Sequence, residues 1–164
     1  MADAHAPWWR GARGEWYVVI QVAMFVLVVF GPRSWPGAPS WPAPYSTIAS
    51  GLGLVLIVAG GALAVGGVLQ LGSNLTALPY PKEGAPLLES GPYAIVRNPI
   101  YSGLIFAAFG FGLFVNGWLT LGYALVLFAF FDIKSRREER WLREKFPEYA
   151  SYQRRVRKLV PWVY

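Results

Sequence analysis

From Ser46 to Gly72 the chain carries no charged residue. A helix rises about 1.5 Å per residue, so a helix over this stretch covers the roughly 30 Å hydrocarbon core of a bilayer with length left for tilt. Three further apolar runs follow the same plan. Trp16 to Phe30 is apolar except for Gln21, and Pro99 to Val115 is separated from Trp118 to Phe131 only by Asn116-Gly117. Asn-Gly is a break signal, so the last two runs are expected to form a tight antiparallel hairpin rather than one long helix. The first run is barely long enough to span and is expected to borrow a turn from Gly11 to Glu15. It is preceded by Asp3, Arg10, Arg13 and Glu15 and ends at Gly31-Pro32, which fits a retained helix better than a cleaved leader. Between the first two runs, Pro32, Pro36, Pro39, Pro42 and Pro44 forbid a helix and favour an extended interfacial segment with Trp35 and Trp41 at headgroup level.

Composition agrees with the pattern. The 164 residues are 55% hydrophobic and 16% aromatic, and the mean hydropathy is +0.37, with charge confined to blocks. The expectation is an all-α polytopic membrane protein, a single domain over residues 1–164, with about four transmembrane helices and a cytoplasmic amphipathic C-terminal helix. With four spans, Arg10, Arg13, Lys82, Arg97 and the ten basic residues from Lys134 to Lys158 share one side, leaving Arg33 on the other. The positive-inside rule then puts both termini in the cytoplasm. The net charge of +6 follows this topology, which argues against nucleic acid as a partner. There is no cysteine, and the single histidine, His5, lies near the N-terminus, so cysteine- and histidine-based catalysis and metal ligation are not expected.

Small residues recur every seven positions at Ser46, Gly53, Gly60 and Gly67, and again at Gly103, Gly110 and Gly117. Such series allow backbones to approach closely, which favours helix association in lipid.

The chemistry is expected in two polar cassettes, Gly91 to Gly103 and Arg136-Arg137-Glu138-Glu139. In the first, Pro99 suits a first helical position and Asn98 is a candidate N-cap. Neither explains Arg97. A cation just ahead of a helix N-terminus, beside free N–H groups, makes a site for a carboxylate or phosphate, or else the side chain snorkels to lipid phosphate. Tyr93 and Tyr101 are either interfacial belt residues or rings available to a cationic centre. In the second cassette, surface pairing of Lys134 with Glu138 and of Glu139 with Arg143 is the plain expectation for a helix ending near Pro147. The other possibility is that the adjacent carboxylates bind ribose hydroxyls or a cation.

Leu87 to Gly103, followed by Glu138 to Tyr152, resembles the isoprenylcysteine carboxyl methyltransferases and the related phospholipid N-methyltransferases. The similarity runs from about Leu69 to Pro161, taken as the cofactor-binding part. The resemblance implies a multi-span helical enzyme that binds S-adenosylmethionine on the cytoplasmic side and methylates a lipophilic substrate or phospholipid amine from the bilayer. By position it marks Gly91, Tyr93, Arg97, Asn98, Pro99, Tyr101, Gly103, Glu138 and Glu139 as cofactor-pocket residues, with Arg97 and Glu138 as the catalytic candidates. Asn98 stands where histidine is frequent; it can donate a hydrogen bond but cannot exchange a proton near neutral pH. No metal is implied. Two other classes fit parts of the pattern: an NADPH-dependent membrane reductase, and a non-catalytic membrane protein whose segment Arg154 to Lys158 binds anionic lipid. Substrate and oligomeric state leave no mark in the sequence.

Overall fold

The computed structural model describes residues 15–76, 84 and 86–164. Asp3, His5, Arg10, Arg13, residues 11–14 of the turn expected over Gly11 to Glu15, and Lys82 lie outside them. Six α-helices follow in order: α1 (Glu15–Phe30), α2 (Tyr45–Leu71), α3 (Pro92–Ile95), α4 (Pro99–Phe114), α5 (Trp118–Lys145) and α6 (Tyr149–Arg155). A 3-10 turn over Gly72–Asn74 extends α2, and no strand occurs among the described residues.

Two of these helices are long and apolar enough to cross a membrane. They are α2 with its 3-10 turn, Tyr45–Asn74, and α5. The 16-residue helices α1 and α4 are shorter. Only Ala49, Gly53, Gly60 and Gly67 of α2 are buried. Leu52, Leu54, Val55, Val58, Val65 and Leu69 stay exposed on its outer side. An apolar helix left this bare is at home against lipid tails, where its exposed side meets no water.

The glycine series explain how α2 and α4 meet. A Cβ on Gly60 would lie 2.5 Å from the Gly103 carbonyl oxygen, and one on Gly103 would lie 2.3 Å from that of Gly60. Gly53 and Gly110 face each other in the same way one register further along, at 2.5 and 2.6 Å. The helices therefore run antiparallel with their backbones in contact, each small residue seated on the other's main chain. Gly117 departs from the expected register. It precedes α5 and packs on Thr120 and the Arg33 carbonyl, so the second series contributes only Gly103 and Gly110 to the contact.

At the hairpin end, Asn116 takes a left-handed φ of 50°, the turn that the Asn-Gly pair encodes. The proline-rich loop closes this end through Trp118 Nε1, which donates to the Pro39 carbonyl at 2.9 Å, and Leu119 N, which donates to the Arg33 carbonyl at 2.9 Å. Helix α1 rests on α5 through Tyr17 against Phe130 and Phe25 against Phe131. The core gathers Val28, Ile105, Ala108, Ala124, Leu127, Phe130, Phe131 and, from beyond α6, Leu159.

Helix α5 runs unbroken from apolar to charged sequence because neither glycine nor proline falls between Gly122 and Pro147. Its charged half thereby projects past the apolar bundle at the end where α4 begins.

Candidate functional site

Gly91 opens the first cassette with φ 58° and ψ −131°, a backbone shape that favours glycine, and Pro92 follows at the first position of α3. The single turn of α3 ends in extended Val96, which is fully buried. The Tyr93 carbonyl accepts a bond from the Tyr152 hydroxyl at 2.6 Å. Burial pushes the phenols of Tyr93, Tyr149 and Tyr152 up, so all three remain neutral hydroxyls at ordinary pH.

Arg97 and Glu139 form the centre. Arg97 Nε donates to Glu139 Oε1 at 2.9 Å and a terminal nitrogen to Oε2 at 3.3 Å, a two-pronged pair in which both side chains are about nine-tenths buried or more. The other terminal nitrogen donates to the carbonyls of Gln153 at 3.1 Å and of Val156. The Tyr149 hydroxyl is a further hydrogen-bond partner of Arg97, so the guanidinium is densely engaged. Glu139 is equally occupied. It also accepts from Asn98 Nδ2 at 3.3 Å and from Gln153 Nε2 at 3.0 Å.

Two expectations are corrected by this arrangement. Glu139 does not pair with Arg143 on its own helix surface, because it turns inward and is 4% exposed. Asn98 occupies the N-cap of α4 but makes no side-chain cap bond; its amide spans Glu139 and the Lys158 carbonyl at 3.2 Å. Its own carbonyl accepts from Ser102 instead. Lys134 also reaches off its helix, donating to Gln21 of α1 at 2.7 Å. Gln21, the one polar residue of its apolar run, was the signal available for that contact.

Glu138 differs from its neighbour. Its bond is to the Tyr101 hydroxyl, 2.5 Å from Oε1. The Tyr101 ring stacks on Phe131 with centroids 4.5 Å apart, and the Lys134 ammonium lies 5.0 Å from its centroid. Of the residues expected in the site, Arg97, Asn98 and Glu139 thus form one cluster and Tyr101 and Glu138 an adjoining pair. Gly91 sits apart, near Gln70, and Gly103 faces α2.

Sequence reasoning missed Asp132, which accepts bonds from Lys158, Tyr164 and Arg136. It also missed Gln153 and the buried Tyr149 and Tyr152. A cavity of about 350 Å³ lies at the opposite, hairpin end, lined by Ser34, Trp35, Ser40, Trp41, Ser46 and Asn116 among others. It has no ionisable lining residue, so the cassettes, not this cavity, are the place for chemistry. No group of acidic or histidine residues suited to a metal occurs among the described residues.

An apolar helical bundle with its carboxylates, arginine and tyrosines gathered at one end is the plan of an integral membrane protein with a polar site at the bilayer edge. The family model for phospholipid methyltransferase matches residues 48–149, and the chain belongs to that family. It is similar to the cobalt-zinc-cadmium resistance protein CzcN of Cupriavidus metallidurans, 31% identical over 153 residues, which make up 90% of this chain and 62% of that one. It is also similar to protein-S-isoprenylcysteine O-methyltransferase B of Arabidopsis thaliana, 30% identical over 118 residues, covering 70% of this chain and 60% of that one. The fold matches the eukaryotic intramembrane Ras methyltransferase ICMT, isoprenylcysteine carboxyl methyltransferase, with a TM-score of 0.66 and 25% identity over 97% of this chain and 54% of that one. The chain thus spans about three-fifths of the length of these curated relatives.

Proposed function

We propose that this chain is an S-adenosylmethionine-dependent methyltransferase acting on a lipophilic acceptor that enters from the membrane, a carboxylate or an amine. The observation that carries the proposal is the meeting of the two cassettes. Arg97 and Asn98 contact Glu139 across about forty residues of sequence, and Tyr101 contacts Glu138, all inside the stretch that matches the family. Four spans with both termini cytoplasmic suit the same proposal, since Arg33 lies at the hairpin end and Arg97 at the other.

The donor set suits the cofactor. Its ammonium and ribose hydroxyls need acceptors, and Glu138 is the carboxylate with only one bond committed. Its carboxylate needs a cationic donor, and Arg97 supplies the guanidinium at this end of the bundle. S-adenosylmethionine supplies an activated methyl group, so the protein's work is to bind, orient and exclude water. In this proposal the neighbouring glutamates divide the task. Glu139 holds Arg97 and Asn98 in place, and Glu138 faces the ligand beside Tyr101 and Tyr93.

The decisive experiment is calorimetric binding of S-adenosylmethionine, S-adenosylhomocysteine and NADPH to the detergent-purified protein. Saturable binding of the two adenosyl ligands without NADPH is expected; folded protein that binds neither adenosyl ligand removes the proposal. Glu138→Gln then reports the acceptor's chemistry. A carboxylate nucleophile needs no proton removed, whereas an amine does, and Glu138 is the acceptor in reach of the site. With an amine acceptor, E138Q is expected to lower kcat by about 100-fold or more, the usual scale for losing a general base. With a carboxylate acceptor, the change appears in cofactor affinity and kcat is largely kept. Unchanged affinity and rate with every acceptor would remove Glu138 from the site.

A further inference from the structure

Beyond α6 the chain abandons helix, with Val156 extended, yet it does not leave the molecule. Leu159 is fully buried in the core and Lys158 is 8% exposed. The reason is a set of main-chain acceptors aimed at two residues. The Gln153 and Val156 carbonyls take the Arg97 guanidinium, the Arg157 carbonyl takes Arg97 N at 2.8 Å, and the Lys158 carbonyl takes both Asn98 N at 3.2 Å and Asn98 Nδ2.

Carbonyls on an irregular strap can orient these residues only if the strap itself is anchored. The anchor is Asp132, nearly two helical turns before Glu139 on α5. Its Oδ1 accepts from Lys158 Nζ and, at 2.8 Å, from the Tyr164 hydroxyl; its Oδ2 accepts from Arg136 Nε at 2.8 Å. Lys158 and Arg136 each also donate to the Tyr164 hydroxyl at 3.2 Å. Asp132 reaches Arg97 and Asn98 through Lys158. This strap lies past residue 149, where the family match ends.

We infer that the end of α6 and residues 156–164 form a latched strap that completes the site, and that Asp132 is a positioning residue acting on Arg97 and Asn98 through Lys158. Helix α5 then holds the two residues from both sides, with Glu139 by direct contact and Asp132 by way of the strap. The consequence for cofactor affinity rests on the methyltransferase proposal; the consequence for the order of Arg97 and Asn98 does not.

The test uses the full chain in detergent, with hydrogen exchange of the peptide containing Arg97 and Asn98 and S-adenosylhomocysteine binding as two readouts. Asp132→Asn keeps the shape and removes the charge. It is expected to speed exchange at these two amides by about tenfold, as local opening does when anchoring bonds are lost, and to weaken ligand binding by a similar factor. The rate at saturating cofactor is expected to change less than about threefold, the signature of a residue that acts on binding and not on the chemical step. Asp132→Glu should recover most of both changes. Unchanged exchange overturns the latch, and faster exchange with unchanged affinity overturns the positioning role. If D132N does not fold, Tyr164→Phe removes one bond to the same carboxylate from a residue 41% exposed. It should move both readouts in the same direction by about two- to threefold, and no movement in either overturns the inference. If the wild-type protein binds no adenosyl ligand, the methyltransferase proposal falls and the exchange measurement alone decides the latch.

Discussion

Arg97→Ala is expected to cost about 3 to 5 kcal/mol of stability, the scale for stripping a buried carboxylate of its partner. The penalty falls on Glu139, which is 4% exposed and would keep only the neutral amides of Asn98 and Gln153. The carbonyls of Gln153 and Val156 lose their donor as well. A loss of this size is a large part of the roughly 5 to 15 kcal/mol that holds a typical domain together. Thermal unfolding in detergent should show a markedly lower midpoint, and adenosyl-ligand binding should disappear with it. Arg97→Lys should rescue little, because an ammonium cannot present the paired N–H bonds that meet both carboxylate oxygens. Replacing both partners, as in R97M/E139M, should recover part of the stability without recovering ligand binding, since no buried charge is then left alone. An R97A protein as stable as wild type would mean that Glu139 is not the buried, dependent charge described above.

The second large effect is expected from Gly60→Val. Even a single added carbon at this position would stand 2.5 Å from the Gly103 carbonyl oxygen and 2.9 Å from Ala107 N. Both atoms belong to a helix backbone, so no side chain can move aside to make room. Helices α2 and α4 must separate, and the paired contact of Gly53 with Gly110 opens in the same motion. Overpacking of this kind typically costs about 1 to 3 kcal/mol and more where backbone blocks relaxation. Gly61 is the control, because a Cβ there meets nothing within 4 Å. Gly61→Val should be nearly silent in the same unfolding assay. Equal effects at the two positions would refute the backbone-to-backbone contact.

The apolar runs, the proline-barred loop and the Asn116-Gly117 break were all legible in the sequence, because each depends on residues adjacent in the chain. The seven-residue glycine spacing announced a close helix contact, though not its partner register, and Gly117 left the series to precede α5. The motif residues were found by resemblance, and the structure gathers Arg97, Asn98, Tyr101, Glu138 and Glu139 at one end of the bundle.

Hydropathy and turn chemistry act over a few residues, so the apolar helices and the breaks between them could be read from the chain alone. It could not say which of two adjacent glutamates is committed. Along α5 both have neighbours of opposite charge four residues away, and local spacing therefore offered Glu139 to Arg143. Tertiary structure decided otherwise. Successive residues on a helix point about 100° apart, so one turn of α5 directs Glu139 into the dry space beneath Arg97 and the C-terminal strap while Glu138 meets Tyr101. A buried charge must find partners, and only the packing of α4, α5 and the strap determines which side chains reach each carboxylate.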